Sequence, residues 1–246
     1  MDLATLRDDM VEGLAHPAKG ALESEAVSVA MRSVPRHEFV DADAPETAYE
    51  DRAFDHGGST VLAPSTAARL IEALSPGEGD SVLVVGAGVG YTSAVIAEIA
   101  GPASVNAIDL SRDLVLAARA NLERAGYGAV LVDRRDGAEG LPEYAPYDRI
   151  LVEAAAVEAP PRLLDQLADG GRLVLPRGAN DQSLVAVENG AVAERFGPIR
   201  LKPLLVEGEQ VGGIERNRAA REERERARQS VGRDWERDWI DWDERL

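Results

Sequence analysis

The chain has 246 residues, 44 acidic against 27 basic, a net charge of −17 and no cysteine. That length suits one sizeable α/β domain with appendages. The charge excludes a basic stripe able to displace counterions from nucleic-acid phosphates, and the lack of cysteine excludes disulfides, thiolate nucleophiles and cysteine-held zinc.

Two helices are expected first, Leu3–Leu14 and Ser24–Ser33, the second ended by Val34–Pro35 because proline disfavours helix just before it. Residues 41–64, rich in Asp, Gly and Pro, read as an ordered loop region. Ser65–Leu74 carries apolar residues at helical spacing and stops at Ser75–Pro76–Gly77. An alternation follows, with strands expected at Ser81–Val85, Ser104–Asp109, Ala129–Asp133, Tyr147–Val152, Arg172–Leu175 and Ser183–Val187. Helices are expected between them at Tyr91–Ala100, Arg112–Ala125 and Pro161–Leu167. In the second of these, Ser111 is the N-cap, Leu114, Ala118, Leu122 and Ala125 make one face, and Gly126 ends it. Such alternation implies a mostly parallel, doubly wound sheet with an N-terminal helical extension.

Residues 1–214 read as a single domain and 215–246 as a charged C-terminal helix. Arg and Glu dominate Arg216–Arg228, and Trp235, Trp239 and Trp242 share one helical face. That face either docks weakly or forms a subunit interface, so oligomerisation through the tail stays open. Lys19 and Lys202 are the only lysines, and an acid-rich, lysine-poor surface points to a salt-rich cytoplasm. At about 1 M salt the screening length falls to about 3 Å and self-repulsion fades. His16, His37 and His56 show no ligand spacing, so no metal is expected. The acidic N-terminus lacks the apolar stretch of a leader, and no run approaches a membrane span, so a cytoplasmic protein without a membrane partner is expected.

The chemistry concentrates in Ser81–Tyr91, SVLVVGAGVGY, where a β-branched run ends in Gly86, Gly88 and Gly90. Ligands of parallel sheets bind outside the carboxyl ends of strands, where Gly86–Gly90, Asp109, Asp136 and Glu153–Ala156 fall. The dinucleotide fingerprint needs glycine at position 91, and this chain has Tyr91 there. A G-x-G-x-G loop has less room for a pyrophosphate but can pass beneath the amino-acid end of S-adenosylmethionine. With Asp109, RRDG (Arg134–Gly137) and LADGGRLVLP (Leu167–Pro176), the order resembles that of Rossmann-like Class I methyltransferases.

VPRHEFV (Val34–Val40), AYEDR (Ala48–Arg52), STVLAP (Ser59–Pro64), APYDRI (Ala145–Ile150), Ala154–Ala156 with Pro160–Pro161, and QLADGGRLVLP (Gln166–Pro176) follow in order. Together they resemble the protein-L-isoaspartate O-methyltransferase family over roughly residues 5–210. The resemblance implies transfer of the methyl of S-adenosylmethionine to the α-carboxylate of isoaspartyl residues in damaged proteins or peptides. It implies that Gly86, Gly88 and Gly90 line the methionine end, that Asp109 holds the ribose, and that Asp136 and Gly137 face adenine. Thr60 with its neighbours Ser59 and Val61 would form the lip between cofactor and substrate, and Arg36 and His37 would either meet the substrate or brace that lip. The family's lip reads T-I-S-x-P, but here it is Thr60–Val61–Leu62–Ala63–Pro64, with Leu62 at the serine position. Loss of that hydroxyl would cost on the order of 1–3 kcal/mol. It leaves open, as an alternative, a diverged S-adenosylmethionine-dependent methyltransferase with another acceptor.

Overall fold

The structure, a computed structural model, describes residues 2–41 and 44–205. In chain order its elements are helices α1 (Leu3–Ala15) and α2 (Glu25–Ser33), strands β1 (Phe54–His56) and β2 (Ser59–Val61), and helix α3 (Pro64–Leu74). Then come β3 (Val82–Val85), α4 (Tyr91–Ala100), β4 (Val105–Asp109), α5 (Arg112–Arg124), β5 (Leu131–Arg134) and β6 (Tyr147–Val152). Helix α6 (Pro161–Leu164), β7 (Leu167–Arg177), β8 (Ser183–Glu188) and β9 (Ala191–Pro198) complete them. The boundary expected at 214, and the charged helix expected over 215–246 with its three tryptophans, lie outside the described residues.

Seven strands form one sheet in the order β5-β4-β3-β6-β7-β8-β9. The first five run parallel, and β8 and β9 are antiparallel. This is the mostly parallel α/β architecture that the alternation implied. All four residues of β3 are buried, because it is central and covered on both faces. Val82 and Val84 join the cluster fed by the first five helices through Leu14, Met31, Leu70, Ile96 and Leu122. Leu83 and Val85 point the other way, into the cluster that holds Leu163 of α6. Helix α5 starts and stops as expected, with the Leu114 N–H donating to Ser111 Oγ at 3.4 Å and Gly126 at φ 89.

Three elements differ from expectation. The loop region 41–64 contains the β1–β2 hairpin, turned by Gly57 and Gly58 at φ 55 and 81. A two-residue Gly-Gly turn is a hairpin signal, but strands of three residues carry little hydrophobic pattern. The helix expected over Pro161–Leu167 ends at Leu164, because the Gln166 side chain locks that turn and Leu167 already pairs with Tyr147 in the sheet. Gln166 Nε2 donates to the Glu139 and Arg162 carbonyls, and its Oε1 accepts from the Leu141 N–H. Strand β9 was not expected at all. It is an edge strand with mostly exposed or half-buried residues, so burial leaves no alternation to read.

Two polar anchors set the region before β3. Asp51 accepts from the Ser65 N–H at 2.9 Å, capping α3, whose own N-cap, Ala63, has no side-chain acceptor. Burial pushes the Asp51 carboxyl up, but Lys19 at 2.7 Å and Ser65 outweigh it and hold it below its ordinary value. Arg36 is fully buried, and its Nε and Nη2 donate to the carbonyls of Ala48 (2.8 Å) and Leu62 (2.7 Å). Its guanidinium also lies 4.6 Å from the centroid of the Tyr91 ring. Arg36→Leu strands both carbonyls, so we expect a loss of about 2–4 kcal/mol of stability, read as a lower midpoint in urea. An unchanged midpoint would mean that water replaces the guanidinium.

Candidate active site

The strands end where the glycine loop begins. Gly86 and Ala87 N–H groups both donate to the Ile108 carbonyl at 2.8 and 3.0 Å, hooking the loop over the end of β4. Gly86, Gly88 and Gly90 have φ of 91, 53 and 93, a region that side-chain-bearing residues rarely adopt. A Cβ on Gly90 would meet Leu122 Cγ at 3.2 Å, so that glycine also lets α5 pack close. A Cβ on Gly88 would meet nothing nearer than the Gly86 carbonyl at 4.0 Å. The loop is therefore bare at Gly88.

Asp109 ends β4, and its two carboxylate oxygens accept from the N–H groups of Gly88 (3.0 Å) and Ser111 (2.9 Å). Burial pushes this carboxyl above its ordinary value, against those donors, which pull it down. The Arg135 N–H donates to the Asp109 carbonyl at 3.1 Å, so the Asp136–Gly137 turn leaves β5 beside the end of β4. Asp136 Oδ1 accepts from the Ala138 N–H at 2.9 Å. Gly137 packs on protein: a Cβ there would meet Val85 Cγ1 at 2.7 Å and Leu204 Cδ1 at 2.9 Å.

The lip is β2 and the residues just after it. Thr60 and Leu62 share one face by strand alternation, whereas Val61 is buried in the core. Ser59, Thr60 and Leu62 line a pocket of about 290 Å³ together with Glu153, Arg200 and Lys202. Lys202 Nζ donates to the Gly58 carbonyl of the hairpin turn at 3.0 Å. Arg36 reaches the lip from behind through the Leu62 carbonyl, and His37 Nδ1 lies 2.6 Å from the Tyr49 hydroxyl. Both side chains thus engage protein groups, as expected of braces. A larger cavity of about 440 Å³ beside α1, lined by Met10, Tyr49 and Asp51 among others, contains none of the residues at the strand ends.

Glu153 joins the two halves, and the sequence had marked only its position at a strand end. Its N–H donates to the Val85 carbonyl at 2.8 Å, and its Cβ lies 3.5 Å from where a Gly86 Cβ would stand. Its Oε1 is buried without a hydrogen-bond partner. Burial pushes its carboxyl from 4.5 up to about 8; Thr92 pulls it down by a hydrogen bond and Asp109 pushes it further up. Arg200 and Lys202 were missed as well, because they follow β9 in a segment stitched beside Glu153 only through space. There the Ala155 N–H donates to the Lys202 carbonyl and the Leu204 N–H to the Ala155 carbonyl, both at 2.8 Å. Among the described residues no cluster of His, Asp or Glu could hold a metal, and no helix is long and apolar enough to cross a membrane.

The strand order, the glycine loop and the acid at the end of β4 are those of a Class I methyltransferase fold. A family model described as protein-L-isoaspartate(D-aspartate) O-methyltransferase matches residues 7–199, and the chain belongs to that family. It is 46% identical over 193 residues to a protein-L-isoaspartate O-methyltransferase of Aeropyrum pernix, covering 76% of this chain and 74% of that one. It is also 46% identical over 180 residues to the protein of the same description in Methanocella arvoryzae, covering 71% and 96%. Among solved structures, one protein-L-isoaspartate O-methyltransferase superposes with a TM-score of 0.71 at 29% identity, covering 87% of this chain and 69% of that one. Another, from Plasmodium falciparum in complex with S-adenosyl-L-homocysteine, has a TM-score of 0.69 at 21% identity, covers 81% and 98%, and shares the fold.

The raised Glu153 carboxyl has a consequence for stability. Between pH 4.5 and about 8 the folded state holds a proton that the unfolded chain releases, so this group makes stability fall as pH rises. Glu153→Gln removes that slope, and at pH 8 we expect the variant to be more stable than wild type by up to about 4 kcal/mol in urea titrations. Parallel pH profiles for the two proteins would show that Glu153 is ionised in the fold.

Proposed function

We propose that the chain is a protein-L-isoaspartate O-methyltransferase, transferring the methyl of S-adenosylmethionine to the α-carboxylate of isoaspartyl residues in damaged proteins or peptides. The observation that carries this reading is the meeting, at Gly86 and Glu153, of a bare glycine loop with a pocket walled by lip hydroxyls and two cations. Family membership supports it. The residues suit such a donor: Gly88 offers open backbone, and Asp109 offers a carboxylate that ribose hydroxyls can reach beside that loop. Gly86, Gly88 and Gly90 would line its methionine end, and Asp136 with Gly137 would face its adenine.

Bound S-adenosylmethionine supplies an electrophilic methyl on a sulfonium. The acceptor carboxylate is already an anion at neutral pH, so no residue need remove a proton. Its oxygen lone pair forms the O–CH₃ bond as the S–CH₃ bond breaks, and the electron pair of that bond stays on sulfur as a neutral thioether. What remains for the chain is positioning and exclusion of water. Ser59 and Thr60 offer hydroxyls, and Arg200 and Lys202 attract the anion. Leu62 offers only an apolar wall, which also favours, as a second reading, an acceptor other than isoaspartate.

An isoaspartyl peptide should yield a base-labile ester that releases methanol, and its aspartyl twin none; a base-stable product on another acceptor would establish the second reading. Asp109→Asn should weaken S-adenosylmethionine binding about tenfold in calorimetry, because ribose hydroxyls lose a charged acceptor. Unchanged affinity would remove the ribose assignment. The charge of −17 suggests a cytoplasm rich in salt. Raising KCl from about 0.1 to about 2 M should lift the melting temperature by roughly 5 °C or more as self-repulsion is screened. A flat or falling response would exclude salt adaptation.

A further inference from the structure

We propose that Glu153 is the hydrogen-bond donor that seats the acceptor carboxylate in this chain, doing from the end of β6 what a hydroxyl at position 62 cannot do here. The proposal rests on the methyl-transfer function proposed for this pocket. Glu153 packs against the glycine loop at Gly86 and also stands in the pocket wall with Ser59, Thr60 and Leu62. A group in that place stands between the glycine loop and the pocket. Leu62 shares the pocket face of β2 with Thr60 and has no polar atom to offer. Glu153 Oε1, by contrast, is a buried oxygen without a partner. A buried polar atom left unpaired is unfavourable unless a ligand completes it.

The charges around Glu153 decide which form it takes. Burial and Asp109 at the end of β4 favour the neutral acid, and the Thr92 hydroxyl at the start of α4 opposes them, leaving the carboxyl titrating near 8. From the 199–205 segment the facing groups are Arg200 and Lys202, both on the exposed side of the pocket. At neutral pH Glu153 therefore carries its proton and can donate it in a hydrogen bond. An incoming carboxylate strengthens that state, since two carboxyl groups in one site cannot both ionise. The O–H···O⁻ bond is of the strong, charge-assisted kind, and it engages one acceptor oxygen while leaving the other free to attack. Ionised, the same side chain would repel the acceptor.

The test is steady-state kinetics on an N-acetylated isoaspartyl peptide from pH 6 to 9.5 at saturating S-adenosylmethionine, with cofactor affinity measured separately by calorimetry. For wild type, the peptide KM should rise about tenfold within one pH unit above a midpoint near 8, as the donor proton is lost. Glu153→Gln, which keeps an N–H donor at every pH, should stay within about threefold of wild type at pH 7 and lose that pH dependence. Glu153→Ala should raise the peptide KM at least about tenfold at pH 7 with less than about a twofold change in cofactor affinity. Adding Leu62→Ser should recover about half of that loss on a logarithmic scale, by restoring a donor on the same wall. The proposal is overturned if wild type and Glu153→Gln share one pH profile, or if Glu153→Gln is as impaired as Glu153→Ala. It is also overturned if the variants weaken S-adenosylmethionine binding instead, which would place the carboxylate on the donor's cation. A wild type silent on the peptide at every pH removes the methyl-transfer reading itself, a result separate from any difference among Glu153 variants.

Discussion

The site depends on two backbone hydrogen bonds from Gly86 and Ala87 to a single carbonyl, that of Ile108. They bind the end of β3 to the end of β4 and leave Gly88 to donate to Asp109. The three left-handed glycines are a consequence of that geometry rather than a source of flexibility, since the loop must reverse within a few residues between a buried strand and a buried helix. Once it is fixed, the acid at the end of β4 and the bare backbone at Gly88 stand together without any further device.

The second constraint is the buried guanidinium of Arg36. A charge removed from water must find acceptors, and it finds the carbonyls of Ala48 and Leu62 and the face of Tyr91. The first two lie in the AYEDR and lip segments, and Tyr91 opens α4 immediately after the glycine loop. One side chain thus sets the distance between lip and loop. The pocket between them takes its shape from a residue that is not in its wall.

Electrostatically the site is mixed, within a chain whose net charge is strongly negative. Burial and the neighbouring Asp109 push the Glu153 carboxyl in the pocket wall toward its neutral form, while Arg200 and Lys202 stand on the outer wall. A pocket for an anionic acceptor beside a cationic donor has reason to carry little fixed negative charge, because charge is neutralised as the methyl moves. The lip is tied to the cationic segment by Lys202 through the Gly58 carbonyl, so the wall and the hairpin that faces it are held together.

The sequence by itself determined the parallel sheet, the helices α1 to α5 and the glycine loop with Asp109. Each rests on a local cause: hydrophobic period, a cap, a proline, or a φ that only glycine adopts readily. It also singled out Leu62 as a departure, but it left open whether Arg36 braces the lip or meets the substrate. The β1–β2 hairpin and the edge strand β9 left too little pattern, because short or exposed strands bury no alternating face. Only the tertiary structure decided that Glu153 keeps one carboxyl oxygen buried without a partner, since a glutamate after an apolar strand looks the same in sequence whether it meets water or the back of a glycine loop. Only strand order brought Lys202 to Gly58 across 144 residues, for contacts at that separation are set by which strands become neighbours and not by any signal along the chain.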